Sequence, residues 1–158
     1  MLKIISRSET ETMNLGARLV RCLKPGMIVC LFGVLGAGKT ILVKGMADGL
    51  GISKDTVISP SFVLIREYLP ARKSRSSMPL YHLDLFRLNN PKDILGLGYE
   101  EYINVQGICV IEWAQRMAQL LPAEYLKIEL EVKGKTRRLI KLIANGKQYR
   151  MILEGIKR

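Results

Sequence analysis

Apolar residues fall at helical spacing soon after the chain passes Ser8. Ser8-Glu9-Thr10-Glu11 has the S-x-x-E form in which a hydroxyl and a carboxylate cap free amides, so it predicts a helix start. Met13, Ala17, Val20 and Leu23 supply the expected buried stripe, and Pro25-Gly26 ends the helix. The pattern then changes. Met27-Ile28-Val29-Cys30-Leu31-Phe32 is apolar without alternation, as in a strand covered on both faces. A glycine-rich turn follows, then a second helix from Lys39 to Leu50, closed by Gly51.

Further strands are expected over 62–68, 80–85 and 108–111. Residues 70–79 read as a mobile basic loop bounded by prolines. Pro91 opens a short helix to Leu97, and 114–121 reads as another helix. The last third alternates. Residues 126–132, 138–144 and 148–153 read as strands, separated by Lys133-Gly134 and by Asn145-Gly146, a strong hairpin signal. The expected fold is α/β with an appended C-terminal antiparallel β meander, in one domain spanning 1–158.

Composition narrows the class. The 158 residues suit one ordinary domain, and 48% hydrophobic with 25% charged residues is a globular balance. No apolar run approaches the roughly 20 residues of a membrane span, and the N-terminal apolar stretch is too short for a signal peptide. Cys22, Cys30 and Cys109 are odd in number and far apart, which argues against disulfides and structural zinc. The expected location is the cytoplasm, with no membrane partner. The net charge of +11 is concentrated at the end: from 133 to 158 there are nine basic residues and one acidic, Glu154. A second cluster is Arg72-Lys73-Ser74-Arg75. Such a surface suits RNA, nucleotide phosphates or an acidic protein, and equally a solvated face; no aromatic RNA-binding stretch accompanies it.

Gly33-Val34-Leu35-Gly36-Ala37-Gly38-Lys39-Thr40 matches G-x-x-x-x-G-K-[ST] in full, with an apolar strand before it and a helix after. Gly33, Gly36 and Gly38 allow backbone angles that aim successive N–H groups, including those of Leu35 and Ala37, into the loop. Those donors and the helix N-terminus suit a β-phosphate, Lys39 the β- and γ-oxygens, and the Thr40 hydroxyl a Mg²⁺ ion. The expected fold is thus a P-loop NTPase-like sheet flanked by helices, binding a nucleoside triphosphate with Mg²⁺. A second magnesium partner is normally an acid ending an apolar strand. Ile108-Cys109-Val110-Ile111-Glu112 and Leu80-Tyr81-His82-Leu83-Asp84 both qualify. His82, the only histidine, reads first as a hydrogen-bonded structural residue, and Trp113 first as packing.

Taken together, these blocks resemble the bacterial TsaE (YjeE) family, P-loop ATPases of tRNA threonylcarbamoyladenosine synthesis. The blocks are Ser8 to Thr12 with Leu15-Gly16, the turn from Leu35 to Thr40, Ser59-Pro60-Ser61-Phe62, His82-Leu83-Asp84-Leu85-Phe86-Arg87, Leu97-Gly98-Tyr99-Glu100-Glu101-Tyr102, and Ile111-Glu112-Trp113. The resemblance implies that the nucleotide is ATP, that Lys39 and Thr40 bind phosphate and Mg²⁺, that Glu112 joins Thr40 at the metal, and that Asp84 lies near the γ-phosphate and orients water. It makes 59–62 a switch-like loop and sets Glu9, with Thr136 or Arg137, beside the adenine. It implies the partners TsaD and TsaB, with tRNA reached through that assembly. The chain departs from the family pattern at Val34, where Asp is usual, and at Ser61, where Thr is usual. The alternative function is a small-molecule P-loop kinase with the 72–75 cluster as its lid. Turnover is expected to be slow without partners, because no arginine occupies a recognisable finger position. Arg87, three residues past Asp84, falls on the opposite face if the strand continues.

Overall fold

The apolar run after Met27 becomes β2 (Ile28–Phe32), whose first four residues are buried. Its side chains alternate between two cores. Val29 and Leu31 enter one, Ile28 and Cys30 the other, so both faces are covered and no polar residue is tolerated in the run. The computed structural model that reveals this describes residues 1–71, 78–103 and 106–157. The basic cluster Arg72-Lys73-Ser74-Arg75, and most of the expected loop over 70–79, lie outside the described residues.

Around β2 the chain forms a seven-stranded sheet in the order β1-β7-β6-β2-β5-β4-β3. The strands are β1 (Leu2–Ser6), β3 (Ile65–Tyr68), β4 (Leu80–Asp84), β5 (Ile108–Glu112), β6 (Tyr125–Val132) and β7 (Arg138–Asn145). β4, β5, β2 and β6 run parallel, while β3 and the β6–β7–β1 arm pair antiparallel. The mixed α/β sheet flanked by helices is the expected class. Helices α1 (Glu9–Val20), α2 (Lys39–Gly49) and α5 (Lys147–Lys157) add buried residues to one core. The other core collects residues of α3 (Pro91–Leu95), α4 (Glu100–Ile103) and a 3-10 segment, Ala114–Leu120.

Several expectations give way. Residues 148–153 belong to α5, not to a third strand of the meander. The stretch alternates over a short window, but Tyr149, Ile152, Leu153 and Ile156 are all buried at i, i+3, i+4 and i+7, a helical stripe. Gly146 at φ 109 serves the turn between β7 and α5. The third strand of the antiparallel arm comes from the other end of the chain, β1, which the pattern did not suggest. The strand expected from 62 starts at Ile65, because the Leu64 and Val63 amides fold back on the Pro60 carbonyl at 2.5 and 3.0 Å. The helix expected over 114–121 is a 3-10 segment broken at Ala118, where φ is 47° and ψ −115°. In α1 the buried face is Thr12, Leu15, Gly16, Leu19 and Val20; of the expected stripe Val20 and, past the end of the helix, Leu23 are buried, while Met13 and Ala17 are only half-buried. The helix also ends before Pro25-Gly26.

Candidate functional site

Parallel strands gather their carboxyl ends on one edge, and the turn after β2 opens there. Asp84 ends β4 and Glu112 ends β5; the two are register partners. Beside them the turn from Gly33 to Gly38 passes through three positive φ angles, 151° at Gly33, 73° at Gly36 and 101° at Gly38. Gly33 must also lack a side chain, since a Cβ there would lie 2.7 Å from the Leu130 carbonyl oxygen. Gly38, left-handed, is the N-cap of α2, so the helix points its free amides out of the turn.

Lys39 and Thr40 start that helix. Lys39 is 4% exposed. Its ammonium donates to the Gly33 and Val34 carbonyls at 2.9 Å each and lies 4.0 Å from the centre of the Trp113 ring. Burial pushes this ammonium below the ordinary lysine value, while Glu112 and Asp84 pull it back up. The Thr40 hydroxyl donates to Glu112 Oε1 at 2.8 Å, and His82 Nε2 meets the same oxygen at 2.9 Å. A nitrogen facing a carboxylate oxygen carries the proton, so His82 is a donor that orients Glu112. Asp84 is gripped as firmly: Oδ2 accepts from Ser59 at 2.5 Å and Ser61 at 2.7 Å, and Oδ1 from the Phe86 amide at 2.8 Å. His82, Asp84 and Glu112 are each at most 2% exposed.

These groups face a cavity of about 650 Å³. Lys39, Thr40, Asp84 and Glu112 line its floor, with Gly36 and Gly38 of the turn. Glu9 and Leu35 reach it from the rim. Gly33 and Ala37 do not line it. Gly33 offers its carbonyl to Lys39, and the Ala37 amide is used within the turn, 3.2 Å from the Val34 carbonyl. Arg137 also stays outside, on the exposed side of the β6–β7 turn, whereas Thr136 and Arg138 border the cavity. The Val34 side chain is 63% exposed, and only its carbonyl touches the site.

Three features were missed by sequence reasoning. Arg138 spans the turns, donating to the Ala37 and Gly36 carbonyls at 3.1 and 3.2 Å and to the Gly134 carbonyl at 3.0 Å. The serine grip on Asp84 links the 59–62 loop to the acid. Arg87 lines the cavity: β4 ends at Asp84 and the chain turns just after it, so the odd offset, which held only for a continuing strand, does not apply.

The arrangement suits a polyphosphate carrying a divalent cation. Helix amides and Lys39 supply positive charge, and the Thr40 hydroxyl and Glu112 carboxylate supply hard oxygens. Among the described residues no group of three or more His, Cys, Asp or Glu could hold a metal. An ion here would therefore take two protein oxygens and complete its shell from water and phosphate, the habit of Mg²⁺. No described helix is long and apolar enough to cross a membrane.

The family model of the threonylcarbamoyl adenosine biosynthesis protein TsaE matches residues 6–140. The tRNA threonylcarbamoyladenosine biosynthesis protein TsaE of Bacillus subtilis is 39% identical over 148 residues, 94% of this chain and 89% of that protein. Its namesake from Nostoc is 42% identical over 134 residues, covering 82% and 78%. The crystal structure of Bacillus subtilis YdiB superposes with a TM-score of 0.82 at 36% identity, over 99% of this chain and 94% of that one.

Proposed function

Because this chain belongs to the TsaE family of threonylcarbamoyl adenosine biosynthesis proteins, we propose that it is the ATP-binding and ATP-hydrolysing component of tRNA N6-threonylcarbamoyladenosine modification, acting on a TsaD–TsaB assembly. The observation that carries the reading is the Thr40–Glu112 hydrogen bond of 2.8 Å at the mouth of a complete G-x-x-x-x-G-K-T turn. That pair presents two hard oxygens beside the ammonium of Lys39, the constellation a Mg²⁺–triphosphate needs.

Each residue has a role under this reading. The turn amides and the N-terminus of α2 hold the β-phosphate. Lys39 leaves the Gly33 and Val34 carbonyls for the β- and γ-oxygens. Thr40 and Glu112 hold Mg²⁺, and His82 keeps Glu112 aimed. The ion, when bound, offsets negative charge on the phosphates and holds them in line. Asp84 orients the attacking water, and its serine partners tie that step to the 59–62 loop. Glu9 and Thr136 border the adenine, and Arg137, on the exposed side of the β6–β7 turn, lies outside the cavity lining. The location proposed is the cytoplasm.

ATP hydrolysis measured alone and after adding TsaD and TsaB from the same organism tests the reading. Slow basal release of phosphate, strongly stimulated by the pair, is expected. Phosphoryl transfer to a small acceptor, with no response to the proteins, would favour a kinase instead.

A further inference from the structure

The proposed site has acids and metal ligands; among the described residues its lining cations are Lys39, Lys135, Arg138 and Arg87. Lys135 lies in the β6–β7 turn, and Arg138, which opens β7, is committed to five backbone carbonyls. Phosphoryl transfer in this class of enzyme needs more positive charge on the transferring group than one lysine supplies. The turn that follows Asp84 offers it. Leu85 ends the run of fully buried residues, and the next residues reverse the chain at the cavity edge. Two contacts fix that turn. The Phe86 amide donates to Asp84 Oδ1 at 2.8 Å, and the Phe86 ring packs on Trp113 with centroids 5.0 Å apart. Arg87 is the next residue, so its backbone is anchored to the acid that orients water.

The Arg87 side chain is exposed and lines the same cavity as Lys39, Thr40, Asp84 and Glu112. Among the described residues no carboxylate lies within ion-pair distance of it. Its guanidinium rests instead 4.1 Å from the centre of the Phe62 ring. Phe62 is 84% exposed and belongs to the loop whose Ser59 and Ser61 hold Asp84. A large aromatic left in solvent contributes nothing to the core, and an exposed cation–π contact is weak. The pair therefore holds a cation at the cavity wall without committing it to a strong partner.

We infer that Arg87 is a second phosphate-binding cation of this site, supplied in cis, parked on Phe62 and transferred to the γ-phosphoryl group during hydrolysis. The inference rests on the ATPase reading above. In the step it serves, the oxygen of water bonds to the γ-phosphorus while the bond from that phosphorus to the β–γ bridging oxygen breaks. The bridging oxygen keeps the electron pair and leaves as ADP, and the water's protons pass to inorganic phosphate and to solvent. Charge on the equatorial oxygens is greatest midway, where a bidentate guanidinium stabilises it. The parked position would make basal hydrolysis slow, as expected above, until the exposed Phe62 loop is drawn away and the arginine released.

The test compares affinity for Mg–ADP with affinity for Mg–ADP plus fluoroaluminate, which mimics the transferring phosphoryl group. Wild type should bind the analogue about 100-fold or more tightly than ADP. Arg87→Ala should lose most of that preference while binding Mg–ADP within about twofold of wild type, a scale on which ground-state contacts are unchanged. Arg87→Gln, which keeps length and removes charge, gives the same readout should the alanine variant melt early. A wild-type protein with no preference for the analogue and no hydrolysis overturns the ATPase reading and this one with it. A clear wild-type preference that survives intact in both variants overturns the role of Arg87 alone.

Discussion

Replacing Gly45 by alanine is expected to destabilise the protein more than any other single methyl on α2. Gly45 faces α1, and a Cβ there would lie 1.9 Å from the Met13 carbonyl oxygen and 2.6 Å from its carbon. Ordinary contact begins at 3.4 Å, so the helices must part by about 1.5 Å. The obstacle is backbone and cannot rotate away. Overpacking of this kind costs roughly 3 kcal/mol, the top of the usual range. Removing a helical glycine returns about 1 kcal/mol. The net loss of about 2 kcal/mol should lower Tm by about 4–8 °C in a chain of this length. The wedge also moves Glu9 and Thr12 away from Lys39 and Thr40, so nucleotide should bind less tightly. Thermal melts followed by circular dichroism, with and without Mg–ATP, read both effects. Gly96→Ala is the control: its nearest neighbours are 3.5 and 3.6 Å away and its φ is −63°, so no loss is expected. A Gly45→Ala protein that melts within about 1 °C of wild type would refute the close approach of α1 and α2.

Three further outcomes follow from particular groups. Glu112→Ala should make hydrolysis require much higher Mg²⁺, whereas Asp84→Ala should slow it with little change in nucleotide affinity; the opposite pattern in rate-against-Mg²⁺ curves exchanges their roles. Hydrogen bonds from Lys141 and then Lys133 hold the Glu131 carboxyl down at about 2, against an ordinary 4.5. As pH falls the unfolded chain takes up that proton first, so the stabilisation is present above 4.5 and lost between there and 2. Urea titrations of Glu131→Gln should show a shallower acid slope in that window, and an unchanged slope would mean that the lysines do not hold the carboxylate in solution. Burial pushes the Cys30 thiol up to about 12 and Cys109 higher still, while Cys22 is half-exposed. Native protein at pH 8 should therefore label at Cys22 alone, and all three thiols should label in urea; rapid native labelling of Cys30 or Cys109 would contradict the packing.

The phosphate-binding edge was legible because its signals are local. Glycines at 33, 36 and 38 announce backbone angles that they then adopt, and a buried strand ending in an acid announces Glu112 at a carboxyl end. What stayed hidden depends on distant parts of the chain. β1 is a strand because β7 accepts it, through pairs such as Ile4 with Ile140, and no residue from 2 to 6 declares that partner. Residues 148–153 satisfied both periods over six positions; only Ile156, beyond the window, favoured the helix. The face of α1 was misjudged because Gly16, Gly45 and Gly49 let the two helices touch through backbone, leaving Met13 and Ala17 half-buried. The side taken by Arg87 turned on where the strand stops, which the residues do not announce: β4 ends at Asp84, so the opposite-face condition is not met. Arg138 carries no motif, and two of its five carbonyl partners, Gly36 and Ala37, lie about a hundred residues away, where only the fold brings them beside the local Gly134, Lys135 and Arg137 carbonyls.

The most direct measurement is calorimetric titration of ATP, with and without Mg²⁺, into wild type, Lys39→Ala and Thr40→Ala. Wild type should bind at a single site, more tightly with Mg²⁺. Lys39→Ala should bind weakly in both conditions, because it loses the cation at the β- and γ-phosphates. Thr40→Ala should bind Mg²⁺-free ATP as wild type does and lose the gain that Mg²⁺ brings, because the hydroxyl beside Glu112 is gone. Equal Mg–ATP affinity in all three proteins would contradict the assignment of this edge of the sheet as the nucleotide site.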